Sequence, residues 1–177
     1  MELLKIKIFI NSLITKLNYS FDDLDFNNFY IMIIREFSEH DIDEITSLMK
    51  KLCIMKGQEF DEERWRISLE NHMRKENSEV IVAFDKDTDQ VIGMAQCSIR
   101  NSDNGLRFGY ISNLIVKEEK RRTGIGENLM RYIVDYFKKN HIQSIRLSLK
   151  TNLEEAAVTL FTKLGFQELF RVLELNI

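Results

Sequence analysis

Between Tyr110 and Lys139 the chain changes periodicity across two glycines, and that change limits its possible folds more than any other feature. Residues 110–116 (YISNLIV) are apolar and β-branched, the composition of a strand. Five charged residues follow, Lys117 to Arg121, and then a Gly-x-Gly turn at Gly124 and Gly126. Beyond it Leu129, Ile133, Val134 and Phe137 recur at helical spacing. Strand, glycine turn and helix in that order aim the first helical amides at an anion. Those amides lack intrahelical acceptors, and the helix dipole adds partial positive charge there. The stretch is therefore expected to cradle a diphosphate.

The rest of the chain builds outward from it. Residues 3–17 place Ile6, Phe9, Ile10, Leu13, Ile14 and Leu17 on one helical stripe, and an acidic, aromatic connector runs from 18 to 28. An apolar stripe of this kind docks on the domain or on a second subunit; the sharper reading is a lid over a substrate site. A strand is expected at Phe29–Arg35. Ser38, with Asp41 three residues on, then caps a helix carrying Ile42, Ile45, Leu48, Met49 and Leu52 and stopping near Gly57. A second helix, Phe60–Glu76, opens on Asp61, Glu62 and Glu63, as a helix N-terminus prefers. His72 in that helix reads as structural or solvated, because no partner for it is identifiable.

Glu79–Phe84 and Gln90–Arg100 form a hairpin around the turn DKDTD, with Gly93 marking a bulge or a close backbone approach. A strand at Leu106–Val116 leads into the glycine turn and its helix. A strand at Ser144–Leu149 and a helix at Leu153–Leu164 follow, the helix capped by Thr151 or Asn152 and ended by Gly165. Antiparallel strands, then strand–helix–strand, make a mixed α+β pattern. The chain divides into an extension, 1–28, and a domain, 29–177. The eleven residues after Phe166 allow one long strand or two very short ones, whose edge the N-terminal helix or a second subunit would cover.

Composition removes several function classes. With 177 residues, 44% hydrophobic and 30% charged, the chain can bury a full core. A net charge of −3 disfavours a broad nucleic-acid-binding face, although Lys117, Lys120, Arg121 and Arg122 make a local basic patch. No apolar run approaches the ~20 residues of a membrane span. The N-terminus has Glu2 ahead of its apolar stretch and no small-residue cleavage site, so it does not read as a signal peptide, and a cytoplasmic location is expected. Cys53 and Cys97 lie within a helical and a strand pattern and read as buried, reduced thiols. No Cys/His spacing suggests a metal.

The glycine turn is neither of the common nucleotide loops. A dinucleotide fold requires G-x-G-x-x-G directly after its strand, whereas here five charged residues intervene and position 129 is Leu. A Walker loop, G-x-x-x-x-G-K-[ST], is absent. What the residues do match is V-x-x-x-x-R-x-x-G-x-G, from Val116 through Arg121, Gly124 and Gly126. Downstream they match A-x-x-L-[FY]-x-x-L-G-F: Ala157, Leu160, Phe161, Leu164, Gly165 and Phe166. With IIREFSEHDIDEI at 33–45 as an opening strand and helix, residues 29–177 resemble the GNAT superfamily of acyl-CoA-dependent N-acetyltransferases.

The resemblance implies a three-layer α/β/α fold around a mixed, mostly antiparallel sheet splayed at its fourth strand. It also implies acetyl-CoA as acyl donor, without a metal. Backbone amides from Arg121 through Arg122, Thr123, Gly124 and Ile125 to Gly126 would bind the CoA diphosphate, with Arg121 and Arg122 adding charge. Leu114 and Val116 would pair with the pantetheine arm, and the Leu114 or Ile115 N–H would polarise the thioester carbonyl. Asn152 and Phe161 fall near further cofactor positions.

Five residues depart from the superfamily's pattern. Arg122 stands where many members have glycine, and Phe161 where a tyrosine often protonates the leaving thiolate. Ser112 and Asn113 replace an acidic residue of the strand. Asn152 lies about two positions early, with Glu154 in its expected place. Tyr110 and Ser112, on one face of the strand, are the candidate replacements; Tyr110 would act as acid or water-holding base, or simply pack on the sheet. Glu36, Glu118 and Glu119 read as solvated carboxylates.

The expected activity is acetyl transfer to a primary amine by direct attack in a ternary complex. The alternative is a non-catalytic acyl-CoA-binding or regulatory module. The acceptor would be a small-molecule amine or a protein amino group. Asp22, Asp23 and Asp25 of the connector, with Glu59, Asp61, Glu62 and Glu63, make the half where it would bind acidic, which suits a cation. Neither nucleic acid nor membrane is expected as a partner, and a homodimer would cover the tail edge.

Overall fold

The structure is a computed structural model that describes residues 32–74, 77–149, 155–170 and 175. The expected N-terminal helix and connector, the start of the first strand, Thr151, Asn152 and most of the tail lie outside the described residues.

Five strands among the described residues form one sheet in the order β1 (Met32–Glu36), β2 (Ser78–Asp85), β3 (Gln90–Asn101), β4 (Arg107–Val116), β5 (Ile145–Leu147). Neighbours are antiparallel as far as β4, and β5 runs parallel to β4. Helices α1 (Ile42–Met55) and α2 (Glu62–Met73) cover one face, and α3 (Ile125–Lys139) and α4 (Glu155–Lys163) the other. The expected α+β, three-layer arrangement is therefore present.

Alternation along β2 explains the two cores. Val80 and Val82 face Ile45, Leu48, Trp65 and Leu69, whereas Ile81 and Ala83 face Leu129, Met130, Ile133 and Phe137. Both faces are covered, so the strand is apolar at consecutive positions. Helix ends follow local chemistry. Asp61 caps α2 by accepting from the Arg64 N–H at 3.0 Å. α1 and α4 stop at Gly57 and Gly165, in paired C-terminal bonds (Gln58 N to Cys53 O, 2.9 Å; Phe166 N to Phe161 O, 3.0 Å). That second closure turns Phe166 back onto Phe161, ring edge to ring face. Residues 166–170 are consequently irregular, and the expected tail strand does not begin there.

The crossing from β1 to α1 is fixed by a buried charge pair. Asp41, 3% exposed, accepts from Arg35 Nη1 at 2.6 Å and Nη2 at 2.9 Å, and from Ser38 N at 2.7 Å and Oγ at 3.0 Å. Burial pushes the Asp41 carboxyl up, but these bonds outweigh it and hold it below the usual range. Both cysteines are buried and unpaired with each other. Burial, with Glu79 nearby, pushes the Cys97 thiol up to about 12, which leaves it protonated and inert.

Two register breaks shape the middle of the sheet. The β2–β3 ladder steps from Ala83↔Gly93 to Phe84↔Val91, leaving Ile92 extra. At Gly93 itself a Cβ would stand 3.1 Å from Ile115 O, so the bulge and the close approach occur together. The β3–β4 ladder steps from Gln96↔Ser112 to Met94↔Ile115, so two residues, Asn113 and Leu114, oppose Ala95 alone. Asn113 takes the left-handed conformation (φ +53°). An extra residue inverts alternation, so Ile111 joins the α3-side core and Ile115 the α1-side core, although they are four positions apart.

Candidate active site

The loop after β4 is tied down from several sides before it turns into α3. Lys117 N donates to Ile92 O (2.8 Å) and its Nζ to Gln90 Oε1 (2.8 Å), fastening the strand end to β3. Lys120, in the single turn Glu118–Lys120, pairs with the buried Asp85 at 3.4 Å. Thr123 Oγ1 donates to Lys120 O at 2.7 Å. Arg121 turns its guanidinium back, Nε to Val116 O at 3.3 Å and Nη2 to Met55 Sδ at 3.2 Å. Arg122 has φ +61° and an exposed side chain. Lys117, Lys120 and Arg121 of the charged pentapeptide thus anchor the loop, and Arg122, which follows it, is exposed to solvent.

Gly124 caps α3 with φ +85° and contributes no capping side chain. The first helical amides, Ile125 to Glu127, have no intrahelical acceptor, so this end can bind an anion through its backbone. A Cβ on Gly124 would meet nothing within 4 Å, so the turn is open on that side. Ile125 is buried and anchors the first turn in the core; Gly126 lies against Leu160 and Val116. The only carboxylate of that turn, Glu127, does not oppose an incoming anion strongly. Lys163 and Arg131 each bond it at 2.6 Å, and those bonds, Lys163 first, hold it below the usual carboxylate range.

β4 and β5 part beside this loop. Their pairing runs from Gly109↔Ile145 to Ile111↔Leu147, and none is recorded beyond Leu147 among the described residues. β4 continues for five residues more, Ser112 to Val116, with Leu114 and Val116 on the α3 side and Ile115 buried on the α1 side. An edge of this kind accepts an extended chain as an added strand. Tyr110 pairs with Arg146, one position before the β4–β5 ladder ends. Its hydroxyl donates to Ser148 Oγ at 2.9 Å, and the Arg100 guanidinium lies over its ring at 3.7 Å. Ser112 lies two residues along the same face.

At the bulge, Lys56 Nζ donates to Asn113 Oδ1 at 3.2 Å and Asn113 Nδ2 to Gln96 Oε1 at 2.6 Å. Sequence reasoning identified neither this chain nor Ser148, because the partners are 57, 17 and 38 positions apart. Phe161 is 7% exposed and packs in the α3-side core. Asn152 lies outside the described residues.

The acidic half is more engaged than its composition implies. Asp61 caps α2 and Glu62 pairs with Arg66 at 3.0 Å; Asp22, Asp23 and Asp25 lie outside the described residues. His72 Nδ1 lies 2.8 Å from Ser68 O one helical turn back, the structural role expected of it. A cleft of about 290 Å³ at the start of β2, lined by Glu36, His72 and Glu79 among others, is separated from β4 by β3. No group of three His, Cys, Asp or Glu among the described residues is arranged to hold a metal, and none of the described helices is long and apolar enough to cross a membrane.

Comparison with known proteins agrees with this geometry. The acetyltransferase (GNAT) family matches residues 42–166. GCN5-related N-acetyltransferase 6, chloroplastic, of Arabidopsis thaliana is 34% identical over 71 residues, which are 40% of this chain and 24% of that protein's length. Among solved structures, a Bacillus halodurans C-125 protein described as a transcriptional regulator superposes with a TM-score of 0.71 at 19% identity, covering 82% of this chain and 99% of that one. A predicted acetyltransferase of Clostridium acetobutylicum solved with acetyl-CoA gives 0.69 at 23% identity, covering 82% and 96%. The family match spans most of the domain, including the cradle loop and the L-F-x-x-L-G-F segment, and on that basis the chain belongs to the GNAT family of acetyltransferases.

Proposed function

We propose that this protein transfers the acetyl group of acetyl-CoA to a primary amine by direct attack within a ternary complex. The observation that carries the reading is an open, glycine-capped helix N-terminus after the loop 121–124 together with the stretch of β4 that has no β5 partner among the described residues. Free helix amides suit a diphosphate and an open strand edge suits an extended pantetheine arm, which supports this reading. Acetyl-CoA supplies a thioester acyl group whose thiolate can leave, since an unperturbed thiol has a pKa of ~8.5.

Each residue then has a defined task. Backbone amides of Arg121 to Gly126 bind the diphosphate, and the exposed Arg122 adds charge to it. Main-chain groups of Leu114 and Val116 hold the pantetheine arm as a strand. The Leu114 or Ile115 N–H donates to the acyl carbonyl oxygen, a contribution of ~2.7–4 kcal/mol where such a donor has been removed elsewhere. The Tyr110 hydroxyl, bonded to Ser148 and with Ser112 two residues along the same strand face, holds or relays the amine's proton. Phe161 packs and donates nothing. Lys56 beside the bulge and the engagement of Asp61 and Glu62 weaken the argument for a polycationic acceptor, and an amine of modest charge fits better.

Free-thiol release from acetyl-CoA against a panel of amines (amino acids, amino sugars, polyamines, peptide N-termini) tests the activity. Acceptor-dependent release with an acetylated product supports it. Tight CoA binding without release from any acceptor would support the non-catalytic reading instead.

A further inference from the structure

The chain Lys56–Asn113–Gln96 joins three elements at the bulge, and none of the tasks above uses it. Its direction is determined. A lysine ammonium only donates, so Lys56 must face the Asn113 side-chain oxygen. That turns the Asn113 NH₂ toward Gln96, and the Gln96 oxygen toward Asn113. Gln96, 3% exposed, is left with Nε2 buried and without a partner among the described residues. A buried donor without an acceptor is costly, so the arrangement stands against a local penalty that an apolar pair would avoid.

Conformation alone does not explain Asn113. Its φ of +53° is one that asparagine tolerates, but glycine would adopt it with less strain. What the side chain adds is a tether. It ties the extra residue of β4 to β3 on one side and to the C-terminal cap of α1 on the other. The next two residues are Leu114 and Ile115, whose N–H groups are the candidate donors to the acyl oxygen.

We infer that Lys56, Asn113 and Gln96 are positioning residues: their hydrogen-bonded chain fixes the bulge so that the donor to the acyl oxygen, the Leu114 or Ile115 N–H, is aimed before the acyl group arrives. Donors held in place need no reorganisation at the moment of reaction, and small misplacements lower rates steeply. The inference rests on the acetyl-CoA reading of the site and gives α1 a hold on the acyl end of it.

Three variants test it. Asn113→Gly keeps the backbone conformation and removes the tether; Lys56→Met keeps the side-chain length and removes the donor that sets the direction; Lys56→Arg restores a donor. The readouts are kcat, KM for acetyl-CoA, melting temperature, and the amide NMR shifts of Leu114 and Ile115 on titration with acetyl-CoA and with CoA. Asn113→Gly and Lys56→Met are expected to lower kcat by ~10-fold or more while KM for acetyl-CoA stays within ~2-fold. The shift component that depends on the acetyl group should shrink with them, the melting temperature should hold, and Lys56→Arg should recover most of the loss. Unchanged kcat and shifts in both variants would overturn the inference. So would a joint loss of kcat, KM and melting temperature without recovery by arginine, which is the signature of a merely structural role. If the wild type shows acetyl-dependent shifts but turns over no amine, the transfer reading fails and the shifts alone decide the positioning claim. A wild type that does not bind acetyl-CoA overturns both.

Discussion

Replacing Gly124 or Gly126 by alanine separates two requirements that the Gly-x-Gly motif combines. At Gly124 a methyl would meet nothing within 4 Å, so sterics against the rest of the protein do not forbid it. The backbone does: φ is +85°, and a left-handed L-residue costs roughly 1–2 kcal/mol. Gly126 is helical, and its methyl would sit 3.4 Å from Leu160 Cδ2 and 3.9 Å from Val116 Cγ2, ordinary contact distances. Alanine is favoured over glycine within a helix by ~1 kcal/mol. At ~2–4 °C per kcal/mol for a chain of this size, Gly126→Ala should hold or raise the melting temperature by a few degrees. Its CoA affinity should stay within about threefold, a difference of under ~1 kcal/mol. Gly124→Ala either keeps the strained turn and melts ~2–8 °C lower, or relaxes and turns the loop amides away from the anion. In the second case the Kd for CoA should rise at least ~10-fold, or ~1.4 kcal/mol. Calorimetric titration with CoA alongside thermal scanning reads both quantities. The reasoning is refuted if Gly126→Ala weakens CoA as much as Gly124→Ala, or if Gly124→Ala changes neither affinity nor stability.

Other expectations follow from the packing and the site. A methyl on Gly109 would stand 2.6 Å from Cζ of the fully buried Phe137, so Gly109→Ala should cost ~1–3 kcal/mol in denaturant unfolding, and Phe137→Leu should recover part of it. Asp41 has a folded pKa below its unfolded value, so its contribution is present above the unfolded pKa and lost as pH falls through the folded one. Asp41→Asn should therefore be less stable than wild type by ~1–3 kcal/mol at pH 7, with the gap closing below about pH 4; a gap independent of pH would contradict the carboxylate's role. Tyr110→Phe removes the hydroxyl that meets Ser148 but keeps the ring under Arg100. It should lower kcat by ~10²-fold at unchanged melting temperature, and full activity would reduce Tyr110 to packing.

What could be read in the sequence was local. The glycine turn into α3 and the helix stops at Gly57 and Gly165 depend on neighbours within a few residues, and the structure has them where expected. Gly93 was legible as a special position because a missing side chain leaves a trace in a strand pattern. Limits set by pairing were not legible: the strand expected at Ser144–Leu149 shrinks to Ile145–Leu147 because its ladder with β4 ends at Leu147. Asn113 reads in sequence as a neutral residue where an acid is usual. Only the two-against-one register, the bond from Lys56 and the bond to Gln96 reveal it as a tethered bulge. Acidic residues counted as a field in the sequence proved at Asp61 and Glu62 to be a cap and an ion pair.

The most direct measurement of the central claim is a crystal structure of the protein with acetyl-CoA. The account predicts the diphosphate on the backbone amides of Arg121 to Gly126, the pantetheine arm paired with Leu114 and Val116, and the acyl oxygen within ~3.2 Å of the Leu114 or Ile115 N–H. Acetyl-CoA bound elsewhere, or held in the cradle with its arm directed away from β4, would contradict it.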